Sequence, residues 1–315
     1  MKKLLSWAST IFGLAMFFVA LWMLRNELHG HTFAEIFSAA SAIPWEWLAL
    51  ALLFTILCYV FLTGYDLLAV HALSSRPSFR SIILNSFICH AMSINIGCSS
   101  ITGGSIRCHY YLRKGVGGTD IVRIVTFCFV TFWLGFLALG GTIFLFIPPA
   151  VPEFIHLPFS TLQPLGALFL LALAAYLFII LVRKEPLSVH GWIIPVIPPR
   201  VTLAQISIAA SEWLLGAAVL FVLLPYHPEL TYVHLLSFYF LAQISGLISQ
   251  VPSGLGVFES IILALVPGDM NPSVVVGSLL LYRLVFSLLP LSAAGMLLLV
   301  REIRYRKLAS GMINT

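Results

Sequence analysis

Long apolar runs, separated by short polar stretches, dominate the pattern along this chain of 315 residues. A helix needs about 20 predominantly apolar residues to cross the hydrocarbon core of a bilayer. Runs of this length predict six transmembrane helices, at residues 4–24, 47–70, 121–146, 162–182, 201–224 and 273–300. The stretches between them are too short for a soluble domain, so residues 1–315 are expected to form a single all-α, polytopic membrane domain.

Two further apolar segments, 79–111 and 232–266, are interrupted by glycine. The interruptions are Thr102-Gly103-Gly104-Ser105 in the first segment and Pro252-Ser253-Gly254-Leu255-Gly256 in the second. Neither segment is long enough on both sides of its interruption to cross the membrane. Broken helices at corresponding places of two halves typically surround the substrate site of a transporter. The pattern therefore predicts two re-entrant helical hairpins that turn at these glycines.

The positions of Lys and Arg indicate how the segments are oriented. With six spans and two re-entrant hairpins, nearly all basic residues fall on one face, and Arg25 alone falls on the other. Because basic loops stay in the cytoplasm, both termini are predicted to be cytoplasmic, in the inner membrane of a bacterium. Each hairpin then lies between two spans, and the two sets run in opposite directions, as in an inverted-topology repeat. Two short full crossings in place of a hairpin would give the same orientation.

This arrangement divides the chain into five parts. They are an N-terminal span and loop (1–45), a first repeat (46–147), a connecting span (148–200), an inverted second repeat (201–301) and a cytoplasmic tail (302–315). Composition agrees with a membrane protein, since 60% of the residues are hydrophobic, 9% are charged and the mean hydropathy is +1.02. The first run is too long for the core of a signal peptide and no small-x-small cleavage site follows it, so we expect it to remain as a span.

Cysteine and histidine show no spacing typical of a metal site. The five cysteines lie in or beside apolar segments, and none forms a C-x-x-C pair. Cys108-His109 with His90 comes nearest to a metal cluster, but no carboxylate or further histidine follows at helical spacing. We therefore expect no metal, no other cofactor, no catalytic residue set and no nucleic-acid partner.

Six ionisable residues interrupt the apolar segments, where a charge facing lipid costs roughly 3 kcal/mol or more. They are Asp66, His90, Arg107, Glu212, Glu259 and Arg283. In a structural interpretation, Asp66 pairs with Arg107, and Glu259 or Glu212 pairs with Arg283. One acid is then left over, and it is either protonated, because burial disfavours the charged form, or available to carry a proton. In a functional interpretation, Asp66, Glu212, Glu259 and Arg283 couple charge movement to transport.

The glycine turns are expected to bind substrate. Each turn leads into a helix whose first N–H groups lack partners within the helix, and such groups favour an anion. The first turn offers Thr102, Gly103, Gly104 and Ser105, with Arg107 one turn beyond, and is expected to bind a phosphate. The second offers Ser253, Gly254 and Gly256. Because Glu259 follows there, the second turn is a poorer anion site and a better one for a proton or cation.

Several runs in the chain resemble one known family. They are Ser-Phe-Ile-Cys-His at 86–90, Thr-Gly-Gly-Ser-Ile-Arg-Cys-His-Tyr-Tyr-Leu-Arg-Lys-Gly at 102–115, Phe-Trp-Leu-Gly at 132–135, Val-Pro-Ser-Gly-Leu-Gly-Val-Phe-Glu at 251–259 and Leu-Leu-Tyr-Arg-Leu-Val at 280–285. Together they resemble the membrane domain of the lysylphosphatidylglycerol synthase/flippase family, above all its short, single-domain bacterial members. The resemblance covers nearly the whole chain, and Pro-x-Gly-x-Gly-Val-x-Glu is its most specific element.

The resemblance implies movement of a phospholipid between leaflets, with re-entrant helices around a lipid-accessible cavity. By position, Asp66, Arg107, Glu212, Glu259 and Arg283 match the charged membrane positions of the family. The chain stops at Thr315 without the soluble transferase domain of the longer members, so it is not expected to synthesise lysylphosphatidylglycerol. The substrate therefore stays open among phosphate-bearing lipids such as phosphatidylglycerol, cardiolipin or a polyprenyl phosphate.

Three functions remain open from the sequence. The first is a lipid translocase driven by an ion gradient or by the lipid gradient, since no Walker motif occurs. The second is an intramembrane lipid-modifying enzyme, although the chain has no G-x-S-x-G elbow or metal pattern. The third is a noncatalytic membrane partner of lipid-synthesis machinery, in which the charges only hold helices together. A homo-oligomer is compatible with each of them.

Overall fold

The structure is a computed structural model that describes residues 33–72, 77–96, 99–112, 115–149, 161–183, 185, 187–189, 192–194 and 197–313. Its helices, numbered along the chain, are α1 (Phe33–Ser41), α2 (Trp45–Ala72), α3 (Phe79–Ile96), α4 (Ser99–Leu112), α5 (Gly118–Phe146), α6 (Gln163–Val182), α7 (Pro199–Leu223), α8 (Tyr232–Ser249), α9 (Val257–Leu265), α10 (Pro272–Tyr282) and α11 (Leu289–Ile313). A short antiparallel hairpin of β1 (Leu187–Val189) and β2 (Trp192–Ile194), which the sequence did not predict, precedes α7.

Six helical segments in the described part of the chain are long and apolar enough to cross a membrane. Five of them correspond to predicted spans, namely Trp45–His71, Gly118–Phe146, Gln163–Val182, Pro199–Leu223 and Pro272–Arg301. The predicted span at 4–24 lies outside the described residues. The sixth is Tyr232–Ser249, which was predicted as the first arm of a hairpin. Its 18 residues extend about 27 Å, close to the thickness of the hydrocarbon core.

The two glycine-containing interruptions have different structures. Thr102, Gly103, Gly104 and Ser105 are helical and lie within α4, so the prediction of a turn at these residues was wrong. The preceding helix, α3, ends at Ile96, and α4 begins at Ser99. A glycine costs a helix only about 1 kcal/mol, whereas a backbone N–H or C=O left unpaired in a membrane costs several. The helix therefore continues through Gly103-Gly104.

The second interruption is a turn, as predicted. A 3₁₀ turn at Pro252–Gly254 connects α8 to α9, and four residues there have positive φ: Gln250 (55°), Ser253 (57°), Gly254 (61°) and Gly256 (81°). Positive φ is accessible to glycine without steric cost. The helix that follows, α9, has nine residues and extends about 14 Å, which is half of the hydrocarbon core.

Within the described part of the chain, α2 and α7 share the largest interface between helices. Small residues permit close packing around this pair, because a Cβ at Gly135 of α5 would overlap Ala209 of α7. An aromatic cluster joins α5, α7 and α8, with ring centroids of Phe136, Trp213 and Phe240 between 5.2 and 5.5 Å apart. In contrast, α6 buries only Gly166 and exposes most of its side chains.

The last candidate span is irregular near its middle. Residues Arg283–Leu288 form a π-helical segment between α10 and α11, and it ends two residues before Pro290. Proline has no N–H, so the carbonyl of Phe286 loses its regular helical donor. The hydroxyl of Tyr59 on α2 lies 3.5 Å from that carbonyl oxygen, and Asn95 Nδ2 of α3 donates to the next one, at Ser287, over 3.2 Å. Side chains of α2 and α3 thus supply partners at the irregular backbone.

Candidate functional site

Asp66 and Arg107 form a buried ion pair between α2 and α4. Arg107 Nε donates to Asp66 Oδ1 over 2.8 Å and Arg107 Nη2 donates to Asp66 Oδ2 over 2.8 Å, so the pair is bidentate. Ser86 of α3 donates to Asp66 Oδ2 over 2.7 Å. His90, also on α3, lies 3.4 Å from Asp66 and 3.2 Å from Arg107. The predicted pairing is confirmed, and three helices meet at one carboxylate.

Glu259 and Arg283 form the second buried pair, between α9 and the π-helical segment. Arg283 Nε donates to Glu259 Oε1 over 2.6 Å. The other carboxylate oxygen, Oε2, accepts the backbone N–H of Gly256 over 2.7 Å and so caps α9. Arg283 Nη1 donates to both the carbonyl and the hydroxyl oxygen of Ser253, each over 2.7 Å. This pairing is one of the two that the sequence left open.

The remaining nitrogen of this guanidinium has a different environment. Arg283 Nη2 is buried and has no hydrogen-bond partner among the described residues. The guanidinium lies over the ring of Phe258, with its central carbon 5.3 Å from the ring centroid. Each buried donor without a partner costs a folded protein about 1–3 kcal/mol. A negatively charged ligand oxygen beside the turn would satisfy it.

Glu212 is the acid left over by the two pairs. It is buried on α7, and the hydroxyl of Tyr65 on α2 donates to its Oε2 over 3.2 Å. No lysine or arginine of the described residues forms an ion pair with it. Tyr65 also packs edge-on against His90, with ring centroids 5.7 Å apart. Glu212 therefore lies next to the Asp66 cluster and is connected to it through Tyr65.

The structure changes the geometry expected around Arg107. Since α4 begins at Ser99, Arg107 lies about two turns into the helix rather than at its first turn. A Cβ at Gly104 would contact Val125 of α5 at 3.6 Å, so this glycine packs against a neighbouring helix. Ser105 is exposed. The side chain of Thr102 and the surroundings of Gly103 lie outside the part of the chain that the structure describes.

Several polar contacts near the site were missed by the sequence analysis. Besides Tyr59, Asn95 and Tyr65, they include Tyr239 and Tyr282, whose hydroxyls lie 3.1 Å apart. Pro290 within a predicted span was the only signal of the irregular backbone. Polar side chains such as Asn95 and Ser86 in an apolar segment were a second, weaker signal. No three His, Cys, Asp or Glu side chains of the described residues are grouped so that they could hold a metal ion.

A second type of pair lies outside the candidate spans. His227 Nε2, after α7, is 3.0 Å from Asp269 Oδ2, after α9, so the two loops are connected. The hydrogen bond from His227 holds the pKa of the exposed Asp269 below its usual range. This pair belongs to the surface and not to the buried cluster.

Comparison with known proteins identifies the family. Residues 10–295 match the family described as the lysylphosphatidylglycerol synthase TM region. This chain belongs to that family. Among its relatives, the uncharacterized protein slr0712 of Synechocystis is 33% identical over 98% of both chains. The inner membrane protein YbhN of Escherichia coli is 29% identical over 80% of this chain and 79% of its own length.

Longer relatives contain the same membrane region. A phosphatidylglycerol lysyltransferase of Staphylococcus haemolyticus is 23% identical over 93% of this chain, but the match covers 34% of the lysyltransferase. The family therefore contains short members of about this length as well as longer members with additional sequence. This chain is similar to the short and to the long members in the membrane region. The five buried charges of the site, Asp66, Arg107, Glu212, Glu259 and Arg283, all lie in that region.

Proposed function

We propose that this protein is a lipid translocase of the bacterial inner membrane. In this proposal the phosphate-bearing headgroup passes through a polar path between two halves, 46–147 and 201–301, while the acyl chains stay in the bilayer. The proposal rests on one observation: a buried guanidinium nitrogen of Arg283, beside a glycine turn, has no hydrogen-bond partner among the described residues. Charged groups inside membrane segments usually mark substrate or ion pathways.

The second turn supplies the first binding position of the proposal. A phosphate oxygen would accept from Arg283 Nη2, and the hydroxyl of Ser253 is already within 2.7 Å of the same guanidinium. Gly254 and Gly256 allow the backbone to approach a headgroup closely. A phosphate that competes for Arg283 would weaken its bond to Glu259. Glu259 would then take a proton or keep only its cap on Gly256.

Arg107 supplies a second phosphate-binding position, which becomes accessible only in a conformation in which Asp66 has moved away from it. Two of its nitrogens donate to Asp66, so a phosphate must displace that carboxylate before it binds there. Ser86 and His90 would hold Asp66 after displacement. Thr102, Gly103, Gly104 and Ser105 precede Arg107 on α4 and would line the approach to it. Glu212, which has Tyr65 as its partner, is the group proposed to carry a proton between these states.

Names of relatives suggest the substrate and the location. The longer relatives are named for phosphatidylglycerol, which makes it the first lipid to test, and YbhN is named an inner membrane protein, which supports that location. An inverted repeat remains part of the proposal, with α9, which is too short to cross the bilayer, as a re-entrant arm of its second half. Cardiolipin and polyprenyl phosphates share the phosphate that Arg283 would bind. Cytoplasmic termini follow from the distribution of basic residues.

Purified protein in vesicles tests the proposal. Fluorescent phosphatidylglycerol is placed in both leaflets, and the fraction that an external quencher reaches is followed with time. We expect protein-containing vesicles to expose the inner-leaflet probe faster than empty vesicles, and Arg283→Gln to lose most of this activity. Arg123→Gln is the matched control, since Arg123 is a partly exposed arginine that pairs with Asp120 near the start of α5 and belongs to neither buried pair. Equal rates in empty and protein-containing vesicles would favour a noncatalytic partner.

A further inference from the structure

An open groove runs between α4 and α11, apart from the buried ion pairs. It has a volume of about 520 Å³, and its walls are mainly apolar. It is formed chiefly by Ser105, His109, Tyr110, Gly295, Leu298 and Leu299. A Cβ built on Gly295 would meet no atom within 4 Å, so the absence of a side chain there keeps the groove open.

The depth of the groove follows from the end of the last candidate span. That span ends at Arg301, which therefore lies near the headgroup region. Gly295 is six residues earlier in the same helix, or about 9 Å deeper. The apolar part of the groove is thus in the hydrocarbon layer, directly below the membrane surface. An acyl chain would enter it at the depth where acyl chains begin.

Arg301 lies beside the groove, because its guanidinium contacts Tyr110, which is one of the lining residues. Its guanidinium lies 4.8 Å from the ring centroid of Tyr110, and its Nη1 donates to Asn85 Oδ1 over 2.8 Å. Both of these contacts in the described part of the chain are to uncharged groups, so they orient the arginine without neutralising it. Basic pockets between transmembrane helices bind the headgroups of anionic lipids.

We infer that this groove binds one acyl chain of an anionic phospholipid whose phosphate interacts with Arg301. The apolar walls match the chain, and the cation at the surface matches the phosphate. The predicted span at 4–24 is a less suitable occupant, because it contains no Asp or Glu that would compensate Arg301. The site does not depend on translocation, since it requires neither Arg283 nor Arg107.

Photolabelling in vesicles tests this inference. Protein is reconstituted with phosphatidylglycerol or phosphatidylcholine that carries the same diazirine-bearing acyl chain, and labelled peptides are quantified by mass spectrometry. We expect peptides with Leu298 and Leu299 to be labelled about fivefold more by phosphatidylglycerol than by phosphatidylcholine, which corresponds to ~1 kcal/mol for one basic residue near the surface. Peptides of the lipid-exposed α6 should be labelled equally by both lipids.

Three variants separate the parts of the site. Arg301→Gln should remove the preference for phosphatidylglycerol, and Gly295→Trp should fill the groove and reduce its labelling to the level of α6. Met296→Trp is the control, because Met296 is the adjacent, exposed residue of the same helix and does not line the groove. Gly295→Leu serves if the tryptophan variant does not accumulate.

The inference is overturned if both lipids label the groove equally, or if Gly295→Trp leaves labelling unchanged. A photocrosslink from Leu299 to residues 4–24, or to a second copy of the chain, would overturn it as well by naming another occupant. The photolabelling experiment does not measure lipid movement, so its result would stand even if the translocase proposal failed. Likewise, an empty groove would leave the role proposed for Arg283 untouched.

Discussion

The two buried ion pairs differ in how completely their hydrogen-bonding groups are used. Asp66 accepts two hydrogen bonds from Arg107 and a third from Ser86, and His90 is close to both charges. Arg283, in contrast, holds Glu259 by one nitrogen and Ser253 by another, and its third nitrogen is buried without a partner in the described residues. Similar charges in similar segments thus form one saturated cluster and one cluster with a donor to spare.

This difference assigns distinct physical roles to the pairs. In a saturated pair, removal of one partner leaves a buried charge uncompensated, which is strongly destabilising. In an unsaturated pair, a ligand gains a charge-assisted hydrogen bond without breaking an existing one. We therefore expect stability to depend mainly on Asp66 and Arg107, and substrate binding to depend first on Arg283.

The largest effect is expected for Asp66→Asn. The variant keeps the shape of the side chain but leaves Arg107 buried without its counter-charge, so stability should fall by about 3–5 kcal/mol and little folded protein should be recovered. Thermal unfolding of purified protein, together with its yield in the membrane, measures the loss. Glu259→Gln is the comparison, and its loss should be clearly smaller because Arg283 keeps both bonds to Ser253. Equal losses would mean that the two clusters are equally structural.

A second comparison uses Lys in place of each arginine. Lysine keeps the charge but lacks the planar fork. Arg107→Lys should lower the melting temperature, because it replaces the bidentate bond to Asp66. Arg283→Lys should lower the melting temperature less than Arg107→Lys does and slow lipid movement about tenfold, equivalent to about 1.4 kcal/mol in the barrier. The vesicle assay and thermal unfolding are measured on the same preparations, and the reverse pattern would exchange the two roles.

Glu212 allows a test of proton coupling. Glu212→Gln removes the titratable group and retains an acceptor for Tyr65, so the variant should fold as well as the wild type or better. If Glu212 carries the proton, lipid movement by the wild type should depend on pH. Lipid movement by the variant should be nearly constant over a range of about pH 5 to 8. Glu259→Gln should retain a pH dependence. A wild-type pH profile in Glu212→Gln would remove this acid from the coupling scheme.

The smallest effect is expected at the surface pair of His227 and Asp269. Because the pKa of Asp269 is lowered in the folded protein, its contribution to stability is present above the unfolded value of about 3.9 and is lost as pH falls through the folded value. Asp269→Asn should therefore melt slightly below the wild type at about pH 6, which is above the unfolded pKa of about 3.9. The difference should disappear toward about pH 3, which is below that pKa. Surface pairs of this kind contribute little. A difference that grows on acidification would contradict the assignment.

The sequence predicted those features that depend on composition and length. Five of the candidate spans occur where apolar runs predicted them, and Asp66 was correctly paired with Arg107 because two opposite charges in adjacent apolar segments have few alternatives. The turn at Pro252–Gly254 was also predicted, since the two nearby glycines, Gly254 and Gly256, accept positive φ and the proline ends a helix.

Other features depend on contacts between distant segments and had no local signal. Gly103-Gly104 resembles a turn in sequence, yet it is helical, because a turn in the membrane would leave backbone groups unpaired. Whether Glu212 or Glu259 pairs with Arg283 depends on which helix faces α9, and the sequence left both open. The partners of Tyr59, Tyr65 and Asn95 lie 147 to 227 residues away along the chain, so only the folded arrangement reveals them.

The π-helical segment before Pro290 has a consequence for the whole last span. Its hydrogen bonds span one residue more than those of an α-helix, as in the bond from Leu289 N–H to Leu284 O, and one residue corresponds to about 100° of rotation around the helix axis. It therefore sets the angular phase between Arg283, near the middle of the span, and Gly295 and Arg301 near its end. Deleting a single residue here would turn the groove-lining face of α11 away from α4 while Arg283 kept its place. The bulge thus acts as a spacer that lets one helix present two arginines to two different neighbours.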